Sequence, residues 1–288
     1  RIAEGCDNRC AYCVIPSLRG KFRSRTKESI LEEARLLAAS GVKELIIVAQ
    51  DITRYGIDLY GKVCLTELLK ELCKLDFRWV RLHYLYPELI DDKLIDEIAS
   101  EDKIVKYLDI PIQHINDMIL RRMNRRGTGE EIRALFKKLR ERIPGLVLRT
   151  SLITGLPGEG EAEFEELCDF LREAKIERAG VFPYSPEEGT PAALMPDRCS
   201  TEEAQRRAEL CMEIQAEIMD GFAETFIGRE LDVLVMGREP DGTPWGRSEY
   251  DSPDIDSRVI FSGGAAPGDM VRVRIDSVDD GELIGEQI

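Results

Sequence analysis

Three cysteines, Cys6, Cys10 and Cys13, fall within GCDNRCAYC at residues 5–13. A loop with thiols at this C-x3-C-x2-C spacing can wrap one corner of an iron–sulfur cube and ligate three of its irons. The fourth iron then has no ligand from the motif and stays open to a cofactor or substrate. Four-cysteine electron-transfer clusters lack that opening. A structural zinc site is the alternative, but such sites pair two C-x2-C knuckles or add histidines. Only two histidines occur, His83 and His114, both far along the chain. Tyr12 is an aromatic that can pack beside a cluster or a bound ligand, and Asp7 and Asn8 are turn formers suited to a loop. The other five cysteines, Cys64, Cys73, Cys168, Cys199 and Cys211, are scattered and read as small buried hydrophobes. A secreted disulfide framework does not suit a chain this long and this helical.

These residues need a scaffold, and the pattern of the chain supplies one. Strands are expected at Lys43–Gln50, Trp79–Leu85, Lys106–Ile112, Val147–Thr154 and Arg178–Pro183, with Arg1–Ala3 as the tail of a further strand leading into Gly5. Helices are expected at Lys27–Ala39, Leu65–Lys74, Asp91–Ser100, Gly129–Arg142, Glu161–Ala174 and Thr201–Phe226. Six rounds of strand then helix predict a parallel sheet with covering helices. Six units are too few for a closed eight-stranded barrel, so the α/β fold class expected is a partial (β/α)6 barrel. Working loops of such folds lie at the C-terminal ends of the strands, which is where the cysteine loop falls. After Gly228 short alternating runs separated by turns, such as Asp241-Gly242, predict a small all-β barrel. The domains expected are residues 1–228 and 229–288.

Composition narrows the setting. The 288 residues carry a net charge of −15, with 43% hydrophobic and 33% charged residues, a balance that suits a globular core. There is no apolar run long enough for a transmembrane helix and no visible signal peptide, and clustered thiols suit a cytoplasmic setting. Residues 229–288 hold 14 acidic and six basic residues, all arginine, about half of the net charge in a fifth of the chain. Such a segment repels a phosphate backbone and suits a basic partner.

The cysteine motif after a strand, opening a partial βα barrel, resembles the radical S-adenosylmethionine (SAM) superfamily. In that superfamily the open iron binds SAM, and an electron from the cluster cleaves it to a 5′-deoxyadenosyl radical that abstracts hydrogen from an unactivated carbon. The stretches RIAEGCDNRCAYCVIPSLRGKFRSR, QDITRYG (Gln50–Gly56), DIPIQH (Asp109–His114), RRMNR (Arg121–Arg125), ITGLPGE (Ile153–Glu159) and VFPYSPEEGTPA (Val181–Ala192) follow the order seen in its methylthiotransferases. The final module resembles their TRAM domain, an OB-like barrel. GRSEYDSPDIDSRVIF (Gly246–Phe261) resembles the TRAM segment of the RimO type, which modifies the β-carbon of an aspartate of small-subunit ribosomal protein S-twelve. The competing type modifies an adenosine of transfer RNA. Thr26, Gly160 and Ser257 depart from residues common in the family and put only local loop geometry in doubt.

The resemblance implies a 4Fe–4S cluster on Cys6, Cys10 and Cys13, with SAM at the fourth iron. It also implies a second 4Fe–4S cluster in an N-terminal domain not found in this sequence, so the chain is expected to be a fragment. An electron donor such as flavodoxin or ferredoxin and the basic protein S-twelve are the implied partners. Nucleic acid is not expected as the direct substrate, nor is a membrane. Tyr12, Gln50, Gln113, Arg149, Gly155 and Pro157 are the candidate cofactor contacts. For Arg149 a buried structural ion pair is an equal alternative. For Gly155 and Pro157 a plain βα turn is the alternative. Asp251, Asp254 and Asp256 are the candidate docking residues for a basic substrate, with a solvated acidic loop as the alternative. Arg19, Lys21, Arg23 and Arg25, and Arg121, Arg122, Arg125 and Arg126, form basic runs that can line the mouth of the site or stand in solvent. An iron–sulfur electron carrier does not need this scaffold, and an RNA-binding module would not be acidic.

Overall fold

The computed structural model describes all residues, Arg1–Ile288. The first strand, β1 (Ala3–Glu4), pairs antiparallel with β2 (Arg23–Ser24) and lies along β3 (Glu44–Ile47), where the Ile2 N–H donates to Val48 O at 3.0 Å. From β3 the sheet continues in parallel through β4 (Trp79–Leu82), β5 (Ile104–Asp109), β6 (Val147–Thr154) and β7 (Arg178–Pro183), in that order. This is the expected partial barrel.

Helices α1 (Ile15–Arg19), α2 (Lys27–Ala39), α3 (Ile57–Tyr60), α4 (Leu65–Leu72) and α5 (Asp92–Ser100) are followed by α6 (Asp117–Arg122), α7 (Gly129–Arg142), α8 (Glu161–Ala174) and α9 (Thr201–Glu224). The sequence dictates these locally. In α4, Leu65, Leu68, Leu69 and Leu72 form one stripe, and all four are buried. Thr128 and Glu131 close a capping box at the start of α7, whose Ile132, Phe136 and Leu139 enter the core. Cys64, Cys73, Cys168 and Cys211 belong to that core, as small hydrophobes should, and Cys199 is half-buried.

The second body is a closed barrel of β8 (Glu230–Arg238), β9 (Pro244–Ser248), β10 (Val259–Ser262), β11 (Met270–Asp279) and β12 (Glu282–Gln287). Alternate residues Leu231, Val233 and Val235 on β8 point inward with Val259, Phe261, Val273, Ile275 and Leu283. Ala223 and Phe226, at the end of α9, complete this core.

The two bodies meet at the N-terminal ends of the parallel strands, opposite the end that carries the cysteine loop. Trp79, Val105, Tyr107 and Val147 pack with Leu234, Phe222, Tyr250 and Met270. Around this apolar patch the charges pair. Glu44 accepts from Arg81 Nε at 2.7 Å and from Arg247 of the small barrel. Arg178 donates to Asp251 at 2.7 Å and to Ser257 Oγ at 3.2 Å. The Tyr107 hydroxyl donates to Asp256 at 2.6 Å, and Ser252 Oγ lies 3.2 Å from His83 Nε2. The turn after β9 therefore plugs the open barrel from below.

This placement corrects the docking expectation. Asp251 and Asp256 are not surface groups awaiting a basic partner. Their side chains are 2% and 6% exposed and bonded within the chain. Of the three, Asp254 alone is exposed. The basic partner that the acidic turn matches is the large domain's own Arg178.

Candidate active site

The cysteine loop leaves β1 at Gly5, whose φ of +80° and lack of a side chain are both required. A Cβ there would lie 2.2 Å from Lys21 O. The returning strand then fastens the loop, since the Cys6 N–H donates to Gly20 O at 3.1 Å and the Phe22 N–H to Asp7 Oδ1 at 3.1 Å. The turn itself closes through Cys13 N–H to Cys10 O at 3.1 Å. From the neighbouring βα loop, Asp51 accepts from Asn8 Nδ2 at 3.2 Å and from the Thr53 N–H at 3.0 Å. Burial pushes the Asp51 carboxyl up, against these hydrogen bonds.

Cys6 and Cys10 are buried and Cys13 is half-buried. Burial pushes the Cys6 and Cys13 thiols above their ordinary range, and each thiol feels its neighbours' charge. A coordinated metal reverses that, since it deprotonates the thiol outright. Three thiols of one short loop, Cys6, Cys10 and Cys13, are a donor set that fits three irons of a cluster.

A cavity of about 170 Å³ opens beside Cys10, between Asn8, Asp51, Arg54, Tyr86, Arg125 and Arg126. Tyr12 packs against a cluster that holds Ala11, Met123, Leu156 and Tyr184, so the loop at residues 155–157 meets the cysteine loop through Leu156. Burial pushes the Tyr12 phenol up and keeps it neutral. Pro157 is buried in the same loop. Gln50, after β3, has a buried Oε1 without a partner. Gln113 sits at the C-terminal end of β5 in left-handed backbone, φ 72°, held by hydrogen bonds to Ser151 O and from the Ile153 N–H. Such a conformation in a non-glycine residue costs about 1–3 kcal/mol and marks a position the surroundings enforce. Next to it the buried His114 Nε2 lies 3.3 Å from Glu159, which also accepts from Arg207 at 2.9 Å.

Two candidates change role. Arg149 donates to Asp109 on the adjacent strand at 2.8 Å, which is the ion-pair alternative and not a free cofactor contact. Gly155, φ +75°, faces α9, where a Cβ would lie 2.4 Å from Ala204 Cβ. Helix packing, and not a ligand's approach, explains that glycine. The second basic run also divides. Arg125 is buried against Cys10, while Arg121 and Arg126 are exposed.

Tyr86 and Asn124 had no place in the expected site. The Tyr86 hydroxyl lies 3.3 Å from Cys10 Sγ, and Asn124 Nδ2 donates to Arg9 O at 2.6 Å. The only sequence signal for Tyr86 was an aromatic just past a strand's C-terminal end.

Comparison with known proteins agrees with this geometry. The radical SAM superfamily model matches residues 1–171, and the TRAM domain model matches residues 227–288. Among curated proteins, the ribosomal protein uS12 methylthiotransferase RimO of Geotalea uraniireducens is 50% identical over 99% of this chain and 65% of its own length. The protein of that name from Pelotomaculum thermopropionicum is 52% identical over 100% of this chain and 66% of its own. The chain thus spans about two thirds of the length of the curated relatives it matches. Among solved structures, the radical SAM methyltransferase TsrM of Kitasatospora setae matches with a TM-score of 0.56 at 20% identity, covering 67% of this chain and 38% of that one. Coproporphyrinogen III oxidase of Escherichia coli matches with a TM-score of 0.54 at 19% identity, covering 74% and 50%. These two speak for the fold. No helix is long and apolar enough to cross a membrane. A cysteine loop on the first strand of a partial βα barrel, together with a family match over more than half of its residues, means that this chain belongs to the radical SAM superfamily.

Proposed function

We propose that residues 1–288 carry the radical-generating and TRAM parts of a RimO-type methylthiotransferase. Such an enzyme replaces a C–H bond on the β-carbon of an aspartate of ribosomal protein S-twelve with C–S–CH3. The observation that carries this reading is identity near 50% running through both domains. It favours the ribosomal protein over the adenosine of transfer RNA. The domain division we propose lies between Gly228 and Arg229, just before β8.

Cys6, Cys10 and Cys13 would hold a 4Fe–4S cluster with one iron left for SAM. Bound there, the cluster supplies the electron that splits SAM and yields the 5′-deoxyadenosyl radical that takes the substrate hydrogen. The chain's own residues prepare the place. Asn8 and Asp51 fix the turn of the loop. Tyr12 and Leu156 shield one flank from water. Gln50 offers a buried acceptor oxygen without a partner, suited to the N–H and O–H donors of SAM. Tyr12, Gln50, Gln113 and Pro157 remain the proposed cofactor contacts. Arg9, Arg54 and Arg126 stand with Asp7, Asp51 and Glu88 around the cavity beside Cys10, so it offers both signs of charge to a substrate. A second 4Fe–4S cluster outside residues 1–288, a flavodoxin- or ferredoxin-type electron donor and a cytoplasmic setting complete the reading.

The chain reconstituted anaerobically with iron and sulfide, then given SAM and dithionite, is expected to release 5′-deoxyadenosine. A methylthiotransferase containing this chain is expected to add S–CH3 to an S-twelve aspartate, seen by mass spectrometry. Modification of transfer RNA with none of the protein would sink the substrate assignment.

A further inference from the structure

The segment Met123–Arg125 grips the cysteine loop residue by residue. The Ala11 N–H donates to Met123 O at 2.8 Å, and Asn124, in left-handed backbone, donates to Arg9 O. Between these two anchors, Arg125 Nη1 lies 3.9 Å from Cys10 Sγ. Arg125 is 7% exposed. Its Nη2 donates to Pro111 O at 2.7 Å, and its guanidinium carbon lies 4.4 Å from the Tyr86 ring centroid. Its bonded partners are thus a carbonyl, a sulfur and an aromatic face. A buried cation without a paired anion is costly. The loop itself can provide the anion, because Cys10 as a ligand is a thiolate.

We infer that Arg125 is the counter-charge of the Cys10-ligated cluster and raises its reduction potential. The inference rests on the cluster proposed above. Three thiolates on a 4Fe–4S core of charge 2+ give a net charge of −1. One electron from a low-potential donor, which is itself oxidised by one electron, takes the core to 1+ and the site to −2. A fixed positive charge beside one ligand stabilises the more negative state more, and burial keeps water from screening it. Hydrogen bonds to the sulfur act in the same sense. Pro111 O fixes one end of the guanidinium, and the Tyr86 ring lies beside it.

The test is an EPR-monitored redox titration of reconstituted residues 1–288 as wild type, R125Q and R125K, with iron counted per chain. At a fixed potential, R125Q is expected to hold at least tenfold less reduced cluster relative to oxidised, a fall of about 59 mV in midpoint for one electron. R125K keeps the charge and is expected to fall between the two. Equal midpoints in loaded wild type and R125Q would overturn the inference alone. A wild type that takes up no cluster would overturn the cluster reading and the inference with it. Should R125Q fail to assemble a cluster, R125K decides. Assembly in R125K supports the role of charge, and failure in both refutes it.

Discussion

Gly155 tests whether helix packing or a ligand demands a glycine in the ITGLPGE loop. An alanine there meets two penalties. The backbone has φ +75°, which costs an L-residue about 1–2 kcal/mol. The new methyl would lie 2.4 Å from Ala204 Cβ on α9, and overpacking of that kind costs about 1–3 kcal/mol. G155A is therefore expected to lose about 2–5 kcal/mol in urea unfolding followed by circular dichroism. The steric part is separable. A204G removes the closest atom, leaves Cys199 Sγ at 3.1 Å and Ala204 Cα at 3.2 Å, and costs about 1 kcal/mol in helix propensity. In the double variant the two changes should not add. It should recover about 1–2 kcal/mol relative to the sum of the singles, while the φ penalty remains. Additivity within about 0.5 kcal/mol would refute the packing account. So would a G155A that unfolds like wild type but binds SAM more weakly, since that would return the glycine to the cofactor.

Other expectations follow from the seam and the cysteine loop. Burial alone would raise the Glu44 carboxyl, but Arg81 and Arg247 outweigh it and hold it below its ordinary 4.5. The stability it contributes is therefore present above pH 4.5 and is lost as pH falls below that through the depressed value. E44Q should unfold more easily than wild type at pH 7, and the gap should narrow below pH 4.5; a gap independent of pH would contradict the pairing. D251A takes the nearer carboxylate from Arg178, leaves Asp256 Oδ1 3.9 Å from its Nε, and should cost about 1–3 kcal/mol. D254A, at an exposed position, should stay within about 0.5 kcal/mol. Thermal unfolding that cannot tell these two apart would refute the seam assignment. C13A should lose most of the iron taken up on anaerobic reconstitution while C64A keeps it, because Cys64 lies in the core. Equal iron in both would remove Cys13 from the ligand set.

The elements were legible because their signals are local. The run Val147–Thr154 and the helix Gly129–Arg142 appear with the bounds that pattern and caps set. The cysteine spacing is equally local, since one loop carries all three thiols. What escaped is how distant segments choose partners. Arg149 and Asp109 are 40 residues apart, and only the parallel register of β5 and β6 sets them side by side. Arg125 reads as one more cation in an exposed run until the fold turns it inward against Cys10.

The acidic turn shows why charge misleads most. A sequence gives the sign of a charge and not its solvent, and paired charges leave the surface only when a second segment supplies the opposite sign. Asp251 and Asp256 look like a docking motif because Arg178 lies more than 70 residues away. Once paired, they hold the small barrel against the N-terminal ends of the sheet, the end opposite the cysteine loop. The cavity beside Cys10 carries both signs, with Arg9, Arg54, Arg125 and Arg126 set against Asp7, Asp51 and Glu88, so the acidity of the small barrel is not continued there. Acids of the small barrel that face solvent, such as Asp254 and Asp280, are not among the residues of that cavity. The charge that surrounds the cysteine loop is therefore set by the large domain alone, whatever the sign of the small barrel.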